Sequence, residues 1–267
     1  MTDPLRTPPA GRPAISVCLV DAVTGAVLSA DGADEVHRTA SIGKIVLLAE
    51  VAVRFVDGRL SRAEMLTRTA DDAVADSGLW QHLSTDSLSA ADCAVLIGAV
   101  SDNLATNVML RRVGLISVSE RGRTIGLLHT ALLDRVRDVR RPSDPPALSV
   151  GTARELAELM VKLHHGQVRS KAVSRQILDW LALDTDTSMV AGALGLDPLA
   201  HLELDRGMTL AHKTGTSSGI RADVGLVTGP RGAIGYAVLA SFHDNDRDRV
   251  LGEMFRIGER VRGHIAG

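Results

Sequence analysis

Aromatic side chains are nearly missing from this chain: three Phe, two Trp and one Tyr among 267 residues, or 2%. So few rings, Trp80, Trp180 and Tyr236 among them, cannot line a groove as a stacking platform for bases or sugars. An excess of one charge is missing too, since 30 Lys and Arg face 32 Asp and Glu for a net charge of -2. Without a basic block or a stacking surface, nucleic acid is not an expected partner. Cysteine is scarce, and Cys18 and Cys93 lie in apolar strand-like and helix-like segments where a thiol behaves as a small buried hydrophobe. No apolar run is long enough to span a membrane. The opening "MTDPLRTPPAGRPAISVCLVDA" has an apolar stretch only from Ile15 to Val20, too short and wrongly ordered for a signal-peptide core. A cytoplasmic protein without a membrane partner is expected.

What is present is an ordinary globular composition, 45% hydrophobic and 23% charged, in a chain long enough for one large domain or two interleaved lobes. "AISVCLVDAVTGAVLSADG" carries apolar runs on either side of Thr24-Gly25 and predicts a β-hairpin. From Ile42 to about Leu183 the apolar spacing turns helical, in "KIVLLAEVAVRFV", "SAADCAVLIGAVSDNLATNVMLRRVG", "TARELAELMVKLHHG" and "SRQILDWLAL". Strands return in "GMTLAHKTG", "ADVGLVTG" and "AIGYAVLASF", and an amphipathic helix, "DNDRDRVLGEMFRIGERVRGHI", ends the chain. The two ends therefore form one lobe around a helical middle. One Pro-rich stretch, "RDVRRPSDPPALS", is read as irregular.

Three short constellations carry chemistry. In "HRTASIGKIVLLAE", Ser41 and Lys44 stand three apart at the entrance of a helix read from Ile42 to Val56, so they share a face. A serine hydroxyl needs a base within reach, and a desolvated lysine can be that base. Ser41 as a mere N-cap with Lys44 on the surface explains this tetrapeptide alone equally simply. "SDN", Ser101 to Asn103, breaks an apolar helical segment with a hydroxyl and an amide, where a solvated helix-helix turn is the plain alternative. "HKTGTSSG" ends a strand with Lys213, Thr214, Gly215 and Thr216, and its plain alternative is a glycine-rich hairpin.

Two other patterns compete. "GTSSG" fits the G-x-S-x-G nucleophile elbow with Ser217 as nucleophile, but that motif needs a helix after the turn, and the strand-like "ADVGLV" follows. His164 and His165 close a helix without the spacing of a zinc site, so no metal is expected.

S-x-x-K, S-D-N and K-T-G in this order are the joint signature of penicillin-recognising serine enzymes. The chain resembles the class A β-lactamase-like serine hydrolases over residues 14 to 262, nearly its whole length, with "ADSGLWQHL" and "RADVGLVTGPRG" similar to the family's flanking segments. The resemblance implies a two-lobed α/β (α+β) fold: an antiparallel five-stranded sheet with flanking helices plus an all-helical lobe. Residues 1–45 and 190–267 would form the sheet lobe and residues 46–189 the helical lobe, with the site in the cleft between them.

It implies that Ser41 is the acylated nucleophile, Lys44 its base, Ser101 the proton shuttle to the leaving nitrogen and Asn103 the amide holding the substrate side chain. Lys213 and Thr214 would meet a substrate carboxylate, Arg221 would add positive charge, and the backbone N–H groups of Ser41 and Thr216 would form the oxyanion hole beside Gly215. No cofactor is implied. The expected partner is a small β-lactam-like amide or ester bearing a carboxylate, and the expected state is a monomer.

One departure stands out. The family's deacylating Glu follows an "LDR", which here is Leu133 to Arg135, but its position falls on Arg137 in a shorter loop, with Asp138 one residue on. The expected activity is a serine hydrolase with an intact acylation apparatus and slow deacylation of β-lactams. The alternatives are a peptidase, esterase or acyltransferase of the same fold, or a ligand-binding relative without turnover.

Overall fold

The computed structural model describes Leu5, Pro8 and residues 10–199 and 205–266. The apolar run before Thr24-Gly25 becomes β1 (Ala14–Asp21) and the run after it β2 (Val27–Asp31), joined by a turn in which Gly25 takes a φ of 75°. A short β3 (His37–Arg38) leads into a 3-10 turn at Ala40–Gly43 and helix α1 (Lys44–Val56), whose first ten residues are all buried.

The middle of the chain holds β4 (Met65–Thr67), β5 (Ser87–Ser89), α2 (Ala90–Val100), α3 (Asn103–Val113), α4 (Leu115–Thr124), β6 (Ala131–Leu132), β7 (Ser149–Gly151), α5 (Ala153–His164) and α6 (Lys171–Leu181). It closes with β8 (Thr209–Ser217), β9 (Ile220–Gly229), β10 (Gly232–Ser241) and α7 (Arg247–Ile265). Helix α4 and the short strands leave no periodic signal in the sequence, since "LISVSERGRT" has too few apolar positions to show a stripe.

The five long strands form one antiparallel sheet in the order β2-β1-β10-β9-β8, as expected. Alternation along each strand supplies two faces. Cys18 and Val20 of β1 and Val224 of β9 face a large core shared with α1, α2, α5 and α6. Val17 and Leu19 of β1, with Tyr236 and Val238 of β10, face α7 through Met254, Ile257 and Val261. Being covered on both sides, the central strands read as continuous apolar runs.

Helix α5 lies close on the sheet because Gly235 has no side chain, and a Cβ there would sit 2.7 Å from Ala157 O. Both thiols are buried as expected, which pushes Cys18 up to about 11 and Cys93 up to about 12. Among the described residues no helix is long and apolar enough to cross a membrane. Strand β8 is left as a free edge of the sheet. That edge faces the start of α1.

Candidate active site

Ser41 lies one step earlier than the helix that its sequence suggests: α1 begins at Lys44, and Ser41 belongs to the 3-10 turn before it. In a 3-10 turn residues i and i+3 eclipse, so Ser41 and Lys44 are stacked more directly than on an α-helix. The helix is capped by Gly43 without a side-chain bond, so the hydroxyl of the half-buried Ser41 is not used as an N-cap. The turn is entered through Ala40 at a φ of 48°, a left-handed conformation that costs a residue with a Cβ on the order of 1 kcal/mol or more. Ser149 of β7 holds it there: its hydroxyl donates to Ala40 O at 2.6 Å and meets Thr39 Oγ1 at 2.7 Å.

Lys44 is fully buried. Its Nζ donates to Ser101 O at 2.6 Å, to Asn103 Oδ1 at 2.8 Å and to Ser101 Oγ at 3.1 Å. Among the described residues no carboxylate bonds to it. Burial first, and then the positive field of Lys213, hold its pKa well below the ordinary lysine value against the pull of Asp102 and Asp184. A hydroxyl one turn from an amine held in this way is the pairing that makes serine a nucleophile.

The break between α2 and α3 brings the second constellation to Lys44. Ser101 takes a φ of 55° at the end of α2, which turns both its carbonyl and its hydroxyl to the lysine. Asp102 caps α3 through Ala105 N at 2.8 Å and also accepts from Leu79 N at 2.7 Å and Trp80 N at 2.8 Å. Its buried carboxylate thereby fixes the break. Asn103 bridges α1 and the loop at Ala75, accepting from Lys44 and donating from Nδ2 to Ala75 O at 3.0 Å.

Strand β8 supplies the third. Gly215 passes the Ser41 turn so closely that a Cβ would lie 2.3 Å from Thr39 O and 3.3 Å from Ser41 N. Only glycine admits that approach. Lys213 is fully buried, and its Nζ donates to Asp184 Oδ2 at 3.2 Å and to Thr214 O at 3.1 Å. Thr214 N donates outward to the same Asp184 oxygen at 3.2 Å, off the free edge of the sheet. Strand alternation gives the N–H of Thr216, two residues on, the same outward direction. Arg221 is the strand partner of Thr216, and its guanidinium donates to Ser217 O at 3.0 Å and Ile220 O at 2.7 Å. Behind β8, the buried His212 Nδ1 meets Asp223 Oδ1 at 3.1 Å, and Tyr236 donates to the same oxygen at 2.9 Å.

The loop after "LDR" offers no carboxylate in the position that the resemblance assigns to Glu. Arg137 is exposed and donates to Asp134 Oδ2 at 2.7 Å, with Asp144 at 3.6 Å. The exposed Asp138 accepts from Ala75 N at 2.8 Å. Asn107 clamps the loop, accepting from Val136 N at 2.8 Å and donating to Val136 O at 3.1 Å. Ser217 stands apart as the exposed last residue of β8, and the next element is strand β9 instead of the helix that an elbow requires.

Lys44 is thus joined to Ser101 and Asn103 by hydrogen bonds, and Gly215 of β8, the strand that carries Lys213, Thr214 and Thr216, is pressed against the Ser41 turn, so three separate chain segments meet here. Asp184, Asp186 and Asn107 were not singled out in the sequence. The signal for the first two is a pair of acids alternating in "LALDTDTSM" just after a helix, and for Asn107 its i+4 spacing from Asn103.

The chain matches no curated protein. Among solved structures it is similar to PBP-A at 23% identity and a TM-score of 0.81, over 97% of this chain and 98% of that one. It is similar to a PBP-A mutant solved as the acyl-enzyme complex with penicillin G at 24% identity and a TM-score of 0.79, over 95% and 90%. A β-lactamase from Sphaerobacter thermophilus is similar at 24% identity and a TM-score of 0.80, over 96% and 94%. At these identities the likeness is one of fold. The profile of the β-lactamase enzyme family matches residues 9–262, and with that span the chain belongs to the β-lactamase enzyme family.

Proposed function

We propose that the protein is a serine hydrolase working through an acyl-enzyme on Ser41. The observation that carries this reading is Lys44: buried, without a carboxylate contact among the described residues, held by Ser101 and Asn103, and one 3-10 turn from Ser41. As the neutral amine, Lys44 takes the Ser41 proton while Oγ bonds to the substrate carbonyl carbon. The developing oxyanion meets the backbone N–H groups of Ser41 and Thr216, each such donor contributing about 3 kcal/mol in comparable sites. The C–N or C–O bond then breaks, and the leaving atom receives a proton through Ser101 Oγ, which Lys44 Nζ re-supplies. Water completes the hydrolysis by attack on the ester of Ser41, and the carboxylic acid leaves as the serine regains its proton.

The substrate is a cyclic or activated amide or ester whose group beside the scissile bond meets Lys213 and Thr214. Support for acylation by a β-lactam comes from the penicillin G acyl-enzyme of the PBP-A mutant. Support for slow deacylation comes from Arg137 and Asp138, whose side chains are engaged with Asp134 and Ala75. Intact-mass measurement after incubation with a penicillin tests the reading. The expected result is one adduct per chain on wild type and none on Ser41→Ala. An adduct-free wild type that also hydrolyses no ester would overturn it.

A further inference from the structure

Strand β8 carries Lys213, Thr214 and Thr216, yet among the described strands it pairs with β9 alone. Much of what fixes it meets on one buried carboxylate. Asp223 of β9 stands opposite Thr214 in the register and is fully buried. Its Oδ1 accepts from His212 Nδ1 at 3.1 Å and from Tyr236 Oη at 2.9 Å, and its Oδ2 accepts from Ala191 N at 3.1 Å. His212 and Tyr236 are both strand partners of Gly225 and close over its bare backbone, where a Cβ would sit 2.7 Å from His212 Cβ and from the Tyr236 ring. Among the described residues His212 Nε2 has no hydrogen-bond partner, so Asp223 alone orients the imidazole.

The third donor, Ala191, ends a segment that runs round the free edge of β8. Residues 184–191 begin at Asp184, whose Oδ2 accepts from Lys213 Nζ and from Thr214 N, each at 3.2 Å. Thr185 N donates to Ala99 O at 3.1 Å, which ties the segment to the end of α2 beside Ser101. The segment closes on Asp223 through Ala191, at the head of a 3-10 turn, Ala191–Leu194. Strand β8 is thus gripped by Asp184 from its edge and by Asp223 from its paired side, and one short segment joins the two grips.

Two buried cation–acid pairs therefore sit on consecutive residues, His212 with Asp223 and Lys213 with Asp184. Burial opposes a charge on His212, but Asp223, aided by Asp184 and opposed by Lys213, outweighs it and raises the pKa of the imidazole. Tyr236 faces the pair from β10, while α7 packs against this layer with Met254, Ile257 and Val261 and sends Arg262 to Ala193 O at 2.9 Å. With the imidazole protonated the His212 pair is balanced. Once it is neutral, the Asp223 carboxylate is buried without a countercharge, a strongly unfavourable state that opening of the strand relieves.

We propose that His212 is a positioning residue for acylation: held on Asp223, it locks β8 to the segment 184–191 and so keeps Lys213 and the Thr216 N–H aligned on Ser41. It touches no substrate and acts through the strand. This role presupposes the acyl-enzyme on Ser41.

The test follows acylation of Ser41 by benzylpenicillin in stopped-flow, between about pH 5 and pH 9, for wild type and His212→Asn. The asparagine amide takes the place of Nδ1 and keeps a donor toward Asp223, but it carries no charge. In wild type the rate is expected to fall by about 10- to 100-fold as pH rises through the raised pKa of His212. His212→Asn should stay at the lower rate without that alkaline limb, while the acid limb set by Lys44 keeps its position. A histidine that only stabilised the fold would lower the melting temperature and leave both limbs in place, and that result overturns the assignment. Hydrogen exchange of the ligand-free chain, read by mass spectrometry, follows the strand without the chemistry. Wild-type β8 amides are expected to lose protection relative to those of β1 over the same rise in pH, and a wild type whose β8 protection does not change with pH overturns the assignment whether or not His212→Asn folds. Absence of any adduct in wild type overturns the acyl-enzyme reading instead, and the exchange data then still decide the role of His212 in holding β8.

Discussion

Lys44 Nζ lies 2.8 Å from Asn103 Oδ1, an amide oxygen where a buried ammonium would ordinarily meet a carboxylate. The carboxylate next in sequence, Asp102, is turned away to cap α3. Burial and the positive field of Lys213 therefore depress the pKa of Lys44, and the more distant Asp102 and Asp184 only partly oppose them.

Changing Lys44 should therefore separate base chemistry from folding. Lys44→Met keeps the volume and removes the base, whereas Lys44→Arg stays charged and cannot accept the Ser41 proton. Both are expected to slow acylation by about 10²–10⁴-fold. In wild type the acylation rate should fall as pH drops through the depressed pKa of Lys44, because protonation removes the base. Stopped-flow acylation across pH checks this, and a rate unchanged in Lys44→Met would refute the assignment.

His37 gives a pH dependence of stability that is independent of catalysis. It is buried between Ser16 Oγ at 2.8 Å and Ser241 Oγ at 3.2 Å, and burial lowers its pKa to about 4. The unfolded chain, with an ordinary histidine pKa near 6.5, binds this proton more readily, so stability is lost as pH falls from about 6.5 toward 4, by up to roughly 3 kcal/mol. His212 runs the other way. Burial opposes its charge, but Asp223 outweighs burial and raises its pKa, so its contribution is present below about 6.5 and lost as pH rises through the raised value. Urea titrations at pH 7 and pH 5 should show a smaller loss in His37→Gln than in wild type. An equal loss would show that His37 is not the titrating group.

The elements that came through from the sequence are those with a long, uniform pattern. The hairpin of β1 and β2, the helix after Ser41 and the three strands around Lys213 each repeat one period over enough residues to be read. The candidate site residues Ser41, Lys44, Ser101 and Lys213 stand out in the sequence because they sit in short motifs of fixed spacing. The offset of α1 to Lys44 does not, since it depends on Ser149, more than a hundred residues away, holding Ala40 in its unusual conformation. Asp184 leaves no such signal for the same reason: its partners Lys213 and Thr214 N lie on β8, about thirty residues further along the chain. A loop that owes its shape to distant partners leaves no local period.

Gly215 permits the contact between β8 and the Ser41 turn, and Gly215→Ala should break it. The added methyl meets the carbonyl of Thr39, a backbone atom that cannot rotate away. Overpacking of this kind costs about 1–3 kcal/mol, and the strand is expected to shift outward. Thr216 N–H then moves with it, so the acylation rate should fall by roughly 10-fold or more while the variant still folds. Thermal melts and acylation rates measured together check both halves. A variant with wild-type rate and stability would show that β8 is not pressed against Ser41.

The loop clamped by Asn107 predicts how the reaction ends. Attack by water on the Ser41 ester needs a base; the position of the family's Glu holds Arg137, a permanent cation paired with Asp134, and the neighbouring Asp138 accepts from Ala75 N. The first product should appear as a burst near one equivalent of enzyme, followed by a steady phase about 10²–10⁴-fold slower, the usual size of a lost general base. Asp138→Asn is expected to leave both phases unchanged, because an amide oxygen can still accept from Ala75 N. Arg137→Glu puts a new carboxylate beside Asp134 and Asp144, where mutual repulsion directs it into solvent, so it should not accelerate the slow phase and should destabilise the loop. Rapid-quench measurement of bound and free product distinguishes the phases. Turnover without a burst would mean that a base reaches the ester after all, and loss of the slow phase in Asp138→Asn would identify that base as Asp138, released from Ala75 when the acyl group is in place.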